Sequence, residues 1–202
     1  MSRKTEIYLF MSRKLNYLLA ISNEGEGKAQ LAALRRGIGQ TPGEFPEIFG
    51  ILLQDMPEEF MSEGEKVSKE EWACYIALTL FALHQQGNDG KTASMNTDKK
   101  VSVGLAMNDY VMSSNDSNAR SRMAVKLQTL ASSKDMNEFS YHLRAVIKLL
   151  KTKGIQLNYS MLAADLYEFQ FQENKANIFL KWGQDFYRSK KSDRKEEENE
   201  NE

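Results

Sequence analysis

Apolar residues recur along this chain at intervals of three and four, the spacing of one face of an α-helix. The clearest example is the stretch 139–151, FSYHLRAVIKLLK, in which five apolar residues fall on one side: Phe139, Leu143, Val146, Ile147 and Leu150. Arg144, Lys148 and Lys151 fall on the other side, at spacings of four and three. The pattern predicts a helix with one face in a core and a row of positive charge on the other.

Polar capping residues indicate where several helices begin. Ser68 stands three residues before Glu71, which is the spacing of a capping box, and it precedes the most apolar segment of the chain, Glu71–His84. Asp135 and Glu138 have the same spacing before the basic row, and Gly154 follows that segment as a predicted helix stop. The tetrapeptide 41–44, TPGE, is also typical of a helix N-terminus, with proline at the first helical position.

Further apolar stripes predict helices at 4–21, at 28–37, at 101–111, and in three segments after Asn118. No segment alternates convincingly with the period of a strand, and all three prolines precede residue 58. We therefore predict an all-α fold, a two-lobed helical bundle of about nine helices. The small polar residues 113–118 predict the boundary between an N-terminal lobe, 1–112, and a C-terminal lobe, 119–188.

The acidic residues are most densely clustered at the C-terminus. The net charge is −1, from 27 basic and 28 acidic residues, but residues 196–202, EEENENE, hold five glutamates. Without them the balance is 27 basic to 23 acidic, or +4 for residues 1–195. A block of like charges without apolar residues cannot pack, so we predict a disordered acidic tail at 189–202.

Two further features bear on localisation. There is one cysteine, Cys74, and no apolar run approaches a membrane span, which favours a cytoplasmic protein that does not bind membranes. The sequence MSRK occurs at 1–4 and again at 11–14, which leaves Met11 open as an alternative start.

Residue types that carry catalysis are few and scattered. No HExxH, CxxC, Walker A or GxGxxG pattern occurs. His84 and His142 lie far apart on different predicted helices. His84 ends an apolar helix, where a hydrogen-bonded structural role is expected, and Cys74 is expected to be a small buried residue. Asp165 and Asp185 are isolated carboxylates, which more often form structural ion pairs than acid–base catalysts. We therefore expect no catalytic residues, no metal and no cofactor.

Basic clusters, in contrast, recur in separate predicted elements. Their members are Arg35, Arg36, Lys99, Lys100, Arg120, Arg122, Lys126, Arg144, Lys148 and Lys151. Each cluster alone is an ordinary solvated surface, and a basic residue in the last turn of a helix also favours the helix dipole. Four clusters in a near-neutral body favour a groove that follows a phosphate backbone. We therefore predict that these residues bind nucleic acid.

Several blocks of the chain together resemble the CasB family, the small subunit of Cascade, which is the type I-E CRISPR surveillance complex. The blocks are ALRRG at 33–37, WACYIALTLFALH at 72–84, the Lys99-Lys100 loop leading to VGLAM, RSRMAVKLQTLASS at 120–133, HLRAVIKLLKTKGIQLNYSMLAADLYEF at 142–169, and WGQDFY at 182–187. Their order and spacing match from about Gln30 to Tyr187. The chain departs from the family at Met123, where phenylalanine is common, and at Gln85, where proline is common.

The resemblance implies a non-catalytic, two-lobed helical subunit that sits as a dimer along the inner face of the Cascade backbone. Its partners would be the other Cascade subunits, the crRNA and the target DNA. It would stabilise the R-loop through phosphate contacts, while guide pairing reads the sequence. Arg35 and Arg36 match the family's paired basic residues, and Lys99, Arg122 and Arg144 fall within matching basic blocks.

Two other functions fit the same sequence. In one, the protein is a helical protein–protein adaptor whose basic residues bind acidic partners and no nucleic acid. In the other, it is a helical enzyme whose site assembles from Asp165, Asp185 and a histidine. Salt-sensitive binding to plain DNA would argue against the adaptor, and turnover abolished by changing one carboxylate would favour the enzyme.

Overall fold

The computed structural model describes residues 1–64, 66–87 and 100–189 of the chain. Within these ranges the regular structure is helical, without a strand. The described residues form nine α-helices: α1 Arg3–Ala20, α2 Gly25–Arg36, α3 Phe49–Leu53, α4 Lys69–Gln85, α5 Val103–Met112, α6 Ala119–Ser132, α7 Met136–Thr152, α8 Tyr159–Phe169 and α9 Gln172–Tyr187. Short 3-10 turns occupy Pro46–Ile48 and Glu58–Phe60. The predicted all-α bundle is confirmed, and no helix in these ranges combines the length and apolarity that a membrane crossing requires.

The most apolar helix, α4, lies at the centre of the bundle. It packs against α2, α7 and α8, and both Ile76 and Leu80 are buried. Its capping box is complete: the Ser68 hydroxyl accepts the Glu71 N–H at 2.9 Å, and the Glu71 carboxylate accepts the Ser68 N–H at 2.7 Å. Satisfying these first-turn donors stabilises the start of the helix around which the others pack.

The amphipathic prediction for α7 also holds, since its five apolar residues are fully buried. At its start the Asp135 carboxylate accepts the Glu138 N–H at 2.9 Å, but the Glu138 carboxylate accepts the Lys134 N–H instead of closing a capping box. At its end Gly154 has φ +62° and the Ile155 N–H reaches the Leu150 carbonyl at 3.0 Å, which is a Schellman ending.

The helix α8 joins the two ends of the chain, because it packs on α1, α4 and α9. The Ser12 hydroxyl on α1 donates to the Ser160 hydroxyl on α8 at 2.9 Å. The buried Asp165 carboxylate, also on α8, pairs with Lys4 at 3.3 Å and accepts the Trp182 indole N–H at 2.9 Å. Helices from both sides of 113–118 thus share one apolar core, and the division into lobes at 112 and 119 stays a prediction.

The prediction of a helix that begins at Pro42 is wrong. Residues 42–44 form a turn in which Gly43 has φ +101°, outside the helical region. The Glu44 carboxylate does accept the Thr41 N–H at 2.9 Å, but helical structure begins only at Pro46. The hydrogen bond between Thr41 and Glu44 is therefore present, but the conformation of Gly43 prevents a helix from beginning at Pro42.

Candidate nucleic-acid interface

Two of the predicted basic residues come together near the ends of α2 and α7. Arg35 lies in the last turn of α2 and Lys151 in the last turn of α7, and α4 packs between these helices. The Lys151 ammonium donates to the Leu83 carbonyl of α4 at 3.1 Å. Burial and then the charge of Arg35 lower the pKa of Lys151, while burial and then the charge of Arg36 lower the pKa of Arg35. Positive charges are therefore held close together here.

Lys28 is a third cation at this place and was missing from the predicted set. A cleft of about 200 Å³ is lined by Lys28 and Arg35 of α2 and by Gln85, Gln86 and Gly87 at the C-terminal end of α4. Lys28 and Arg35 are seven residues apart, which is two helical turns on one face, and that spacing could have identified the pair. We call Lys28, Arg35 and Lys151 the α2–α7 basic cluster. Within the described ranges, no carboxylate forms an ion pair with any of the three.

His84 lies beside this cluster and does not add to its charge at neutral pH. The side chain is buried, and its Nδ1 lies 2.9 Å from the Tyr159 hydroxyl. Burial, and then the nearby charge of Lys151, lower the pKa of His84 to about 4. A hydrogen bond with the backbone of Ile155 partly opposes this shift by raising the pKa. The expected structural, hydrogen-bonded histidine is confirmed.

Arg36 points away from Arg35, because neighbours on a helix are rotated by about 100°. Its guanidinium pairs with Glu47 and lies 5.8 Å from the centre of the Phe45 ring. The two adjacent arginines therefore face different surfaces, and Arg36 has an ion-pair partner of its own.

The basic residues of α6 are also held by local contacts. The Arg120 guanidinium lies 5.6 Å from the Phe186 ring centre and donates to the Phe186 carbonyl at 3.4 Å and to Asn108 at 3.5 Å, which fastens α6 to α9 and α5. Arg122 pairs with Asp116, and Lys126 is half-buried one turn further on. These contacts give Arg120 and Arg122 a structural explanation that needs no ligand.

The remaining predicted residues extend the basic row of α7 or precede α5. Arg144 is half-buried and its Nε has no hydrogen-bond acceptor among the described residues, whereas Lys148 is exposed. Lys100 is exposed, and Lys99 lies outside the described residues, as do residues 190–202 of the predicted tail. The geometry thus joins Arg35 to Lys151, and a continuous surface through all ten predicted residues stays a prediction.

The residues considered for catalysis are engaged in packing contacts. Asp165 is held by Lys4 and Trp182, while Asp185 accepts the Ser102 hydroxyl at 2.6 Å and pairs with Arg188 at 3.3 Å. Burial raises the pKa of the Cys74 thiol, which disfavours the reactive thiolate. In the part of the chain that the structure describes, no three His, Cys, Asp or Glu residues are placed to hold a metal.

The chain is similar to proteins of one CRISPR-associated family. The model of the family described as CRISPR-associated protein Cse2 matches residues 30–187. No individual curated sequence is significantly similar to the chain.

Solved structures of that family share the fold. The crystal structure of CasB from Thermobifida fusca is 22% identical, with a TM-score of 0.73 over 90% of this chain and 98% of that one. A CRISPR-associated protein of the Cse2 family from Thermus thermophilus is 20% identical, with a TM-score of 0.62 over 93% of this chain and 99% of that one. A structure described as CasB from Thermus thermophilus gives the same values. These likenesses concern the fold, whereas the sequence model spans most of the chain and confirms the resemblance: the protein belongs to the Cse2, or CasB, family of CRISPR-associated proteins.

Proposed function

We propose that this protein is a non-catalytic, nucleic-acid-binding small subunit of a type I-E Cascade complex. In this role it stabilises the R-loop, meaning the guide RNA–target DNA duplex and the displaced strand, through phosphate contacts that do not read sequence. Its partners are the other Cascade subunits, the crRNA, the target DNA and a second copy of itself, in the cytoplasm. The observation that carries the proposal is the α2–α7 basic cluster.

Holding the positive charges of the α2–α7 basic cluster close together is electrostatically unfavourable. Bringing Arg35 and Lys151 together, partly out of water, disfavours both charged forms, as their lowered pKa values indicate. No described carboxylate pairs with either residue, so the described part of the chain does not neutralise them. A phosphate group placed beside Arg35 and Lys151 supplies that missing negative charge, and counterion release from the strand adds to the affinity.

The row on α7 extends the same interface. Arg144 and Lys151 are seven residues apart, or about 10 Å along the helix, with Lys148 between them. This length reaches only a few phosphates, so the isolated protein should bind weakly. Sequence discrimination should be slight, because phosphate contacts position a strand without identifying its bases.

The test compares two triple variants by titration with labelled random-sequence DNA, single- and double-stranded, at several salt concentrations. Lys28→Ala, Arg35→Ala and Lys151→Ala together should weaken binding and reduce the slope of log K against log salt by about 2 to 3, or roughly 0.7 to 0.9 for each lost phosphate contact. The matched control removes three exposed lysines from other elements, Lys66→Ala, Lys134→Ala and Lys181→Ala. It should retain most of the affinity, since net charge changes equally in both variants.

In an assembled Cascade complex, the cluster variant should weaken the R-loop while crRNA binding survives. Equal loss in the two variants would show that net charge matters and the cluster does not. A flat salt dependence of the wild type would favour the protein–protein adaptor. Cleavage of DNA or RNA that disappears in an Asp165→Asn or Asp185→Asn variant would favour the enzyme and contradict the non-catalytic role.

A further inference from the structure

Lys14 is a nearly buried cation without an ion-pair partner among the described residues. Its residue is 9% exposed, and its ammonium donates to the Gln54 carbonyl at 2.5 Å and lies 5.4 Å from the centre of the Phe10 ring. Burial lowers the pKa of Lys14, and the charge of Asp55 raises it from beyond ion-pair distance. An ammonium carries three donors, and the burial of this charge is only partly offset by these neighbours.

Two clefts meet at this lysine. One, of about 390 Å³, lies between α1, α2 and α3, and is lined by Ala29, Ala33 and Ile51 among others. The other, of about 410 Å³, lies on the far side of Lys14 and is lined by Phe10, Arg13, Lys14, Tyr17, Gln54 and Asp55. Lys14, Tyr17 and Gln54 line both clefts, and the Tyr17 residue is 49% exposed. Each cleft is within the size range of ordinary ligand sites, and we call the pair the Lys14 cleft.

The charges around the Lys14 cleft favour one anionic group over a chain of them. Its cations are Arg13, Lys14 and Arg36 and its carboxylates are Glu47 and Asp55, which leaves an excess of one positive charge. Arg36 is already paired with Glu47, so the excess is at Arg13 and Lys14. A nucleic-acid strand crossing both clefts would pass one carboxylate in each, and like-charge repulsion disfavours that path.

The uncharged lining indicates what accompanies the anion. Ala29, Ala33 and Ile51 offer apolar surface beside the half-exposed Tyr17 ring, and the side chains of Gln30 and Gln54 can hydrogen-bond to a peptide backbone. An apolar floor with a few placed polar groups is the usual composition of a binding site. The combination suits a carboxylate next to an aliphatic or aromatic side chain.

We propose that the Lys14 cleft binds an acidic peptide segment of a partner protein, with one carboxylate at Lys14 and an adjoining apolar side chain against Tyr17 and Ile51. The site is separate from the α2–α7 basic cluster, because α2 presents Arg35 to one surface and Arg36 to the other. It therefore goes beyond the proposed nucleic-acid binding and does not depend on it.

The test uses the full-length, ¹⁵N-labelled protein and three probes: acetyl-Leu-Glu-Phe-amide, its neutral counterpart acetyl-Leu-Gln-Phe-amide, and thymidine 5′-monophosphate. The glutamate peptide should shift the backbone amide signals of Tyr17, Gly50 and Gln54 and bind at least tenfold more tightly than the glutamine peptide. In a Lys14→Met variant, whose helical spectrum shows that it is folded, this preference should disappear. The Lys28, Arg35 and Lys151 variant should bind the peptide as the wild type does.

Should Lys14→Met fail to fold, Tyr17→Ala provides the test, because its half-exposed ring is not required for the core. That variant should bind the glutamate peptide at least fivefold more weakly than the wild type. Equal affinity for the two peptides, signal changes confined to other regions, or displacement of the glutamate peptide by thymidine 5′-monophosphate would each overturn the proposal.

Discussion

His84 shows how a single side chain makes stability depend on pH. Its pKa in the folded protein is about 4, below the value of about 6.5 expected in the unfolded chain. The fold holds the imidazole neutral against Tyr159, whereas the unfolded chain takes up a proton as the pH falls below about 6.5. The contribution of His84 to stability is therefore complete above that pH and is lost progressively as the pH falls toward 4.

We expect the free energy of unfolding to fall by about 2 kcal/mol between pH 6.5 and pH 5 through this residue, at about 1.4 kcal/mol for each pH unit. Urea unfolding at half-unit pH steps measures it, and His84→Gln is the control because glutamine can still hydrogen-bond to Tyr159 but does not titrate. The wild type should lose more stability than the variant across this range. If both proteins lost the same free energy of unfolding over this range, protonation of His84 would not destabilise the folded protein.

At the scale of elements, the approach of α5 to α9 depends on Gly104. A Cβ atom at this position would lie 1.9 Å from the Trp182 carbonyl oxygen, which is backbone and cannot move aside alone. The two helices are also joined by the Ser102–Asp185 hydrogen bond at 2.6 Å and by the Asn108 side chain, which donates to the Arg188 carbonyl at 2.9 Å. Gly104 therefore fixes the spacing that both hydrogen bonds require.

Gly104→Ala should lower the free energy of unfolding by about 1 to 3 kcal/mol, the usual cost of overpacking a close contact. The control is Gly183→Ala on α9, where nothing lies within 4 Å of the added carbon. That variant should gain up to about 1 kcal/mol, because alanine is the better helix former. Thermal denaturation followed by circular dichroism distinguishes them, and equal midpoints would show that α5 and α9 separate at little cost.

The elements were the part of the fold that local sequence could predict best. The Ser68 box, the α7 stripe and the Gly154 stop each depend on residues that are close in sequence, and each was correct. The prediction of a helix at TPGE was wrong because Gly43 has a positive φ, which the neighbouring residues do not predict. The candidate site was less predictable, since the ion pairs of Arg36 with Glu47 and of Arg122 with Asp116 depend on the fold and not on a local pattern. Lys28 was missed although it lies two helical turns before Arg35 on α2, and that spacing could have identified the pair.

At the scale of the whole molecule, one buried carboxylate connects the two ends of the chain. Asp165 on α8 is bound by Lys4 of α1 and by Trp182 of α9. Burial of a carboxylate is costly unless its charge is compensated: Oδ2 accepts the Trp182 N–H, and Oδ1 faces the Lys4 ammonium at 3.3 Å as an ion pair. The three helices are therefore positioned together by one charge, and the N-terminal turn of α1 contributes to the C-terminal packing.

Lys4→Met should destabilise the protein by about 1 to 2 kcal/mol, less than the roughly 3 to 5 kcal/mol for a fully buried pair, because the Lys4 side chain remains partly exposed. Adding Asp165→Asn should recover part of this loss, since the amide oxygen can still accept the Trp182 N–H without carrying a charge. Chemical unfolding of the two single variants and the double variant completes the cycle. Additive losses would mean that Lys4 and Asp165 do not interact energetically.

The hydrogen bond between Ser12 and Ser160 has a consequence for how the protein is made. It joins residues 148 positions apart, so the face of α1 that packs on α8 has no partner until α8 has been synthesised. At about 5 to 20 residues per second, this takes on the order of ten seconds or more after α1 is complete. During that interval α1 can pack on α2 and α4, and Phe10 can contact the Phe60 ring. The apolar face of α1 that packs on α8 therefore stays uncovered by the native partner helix until α8 emerges from the ribosome.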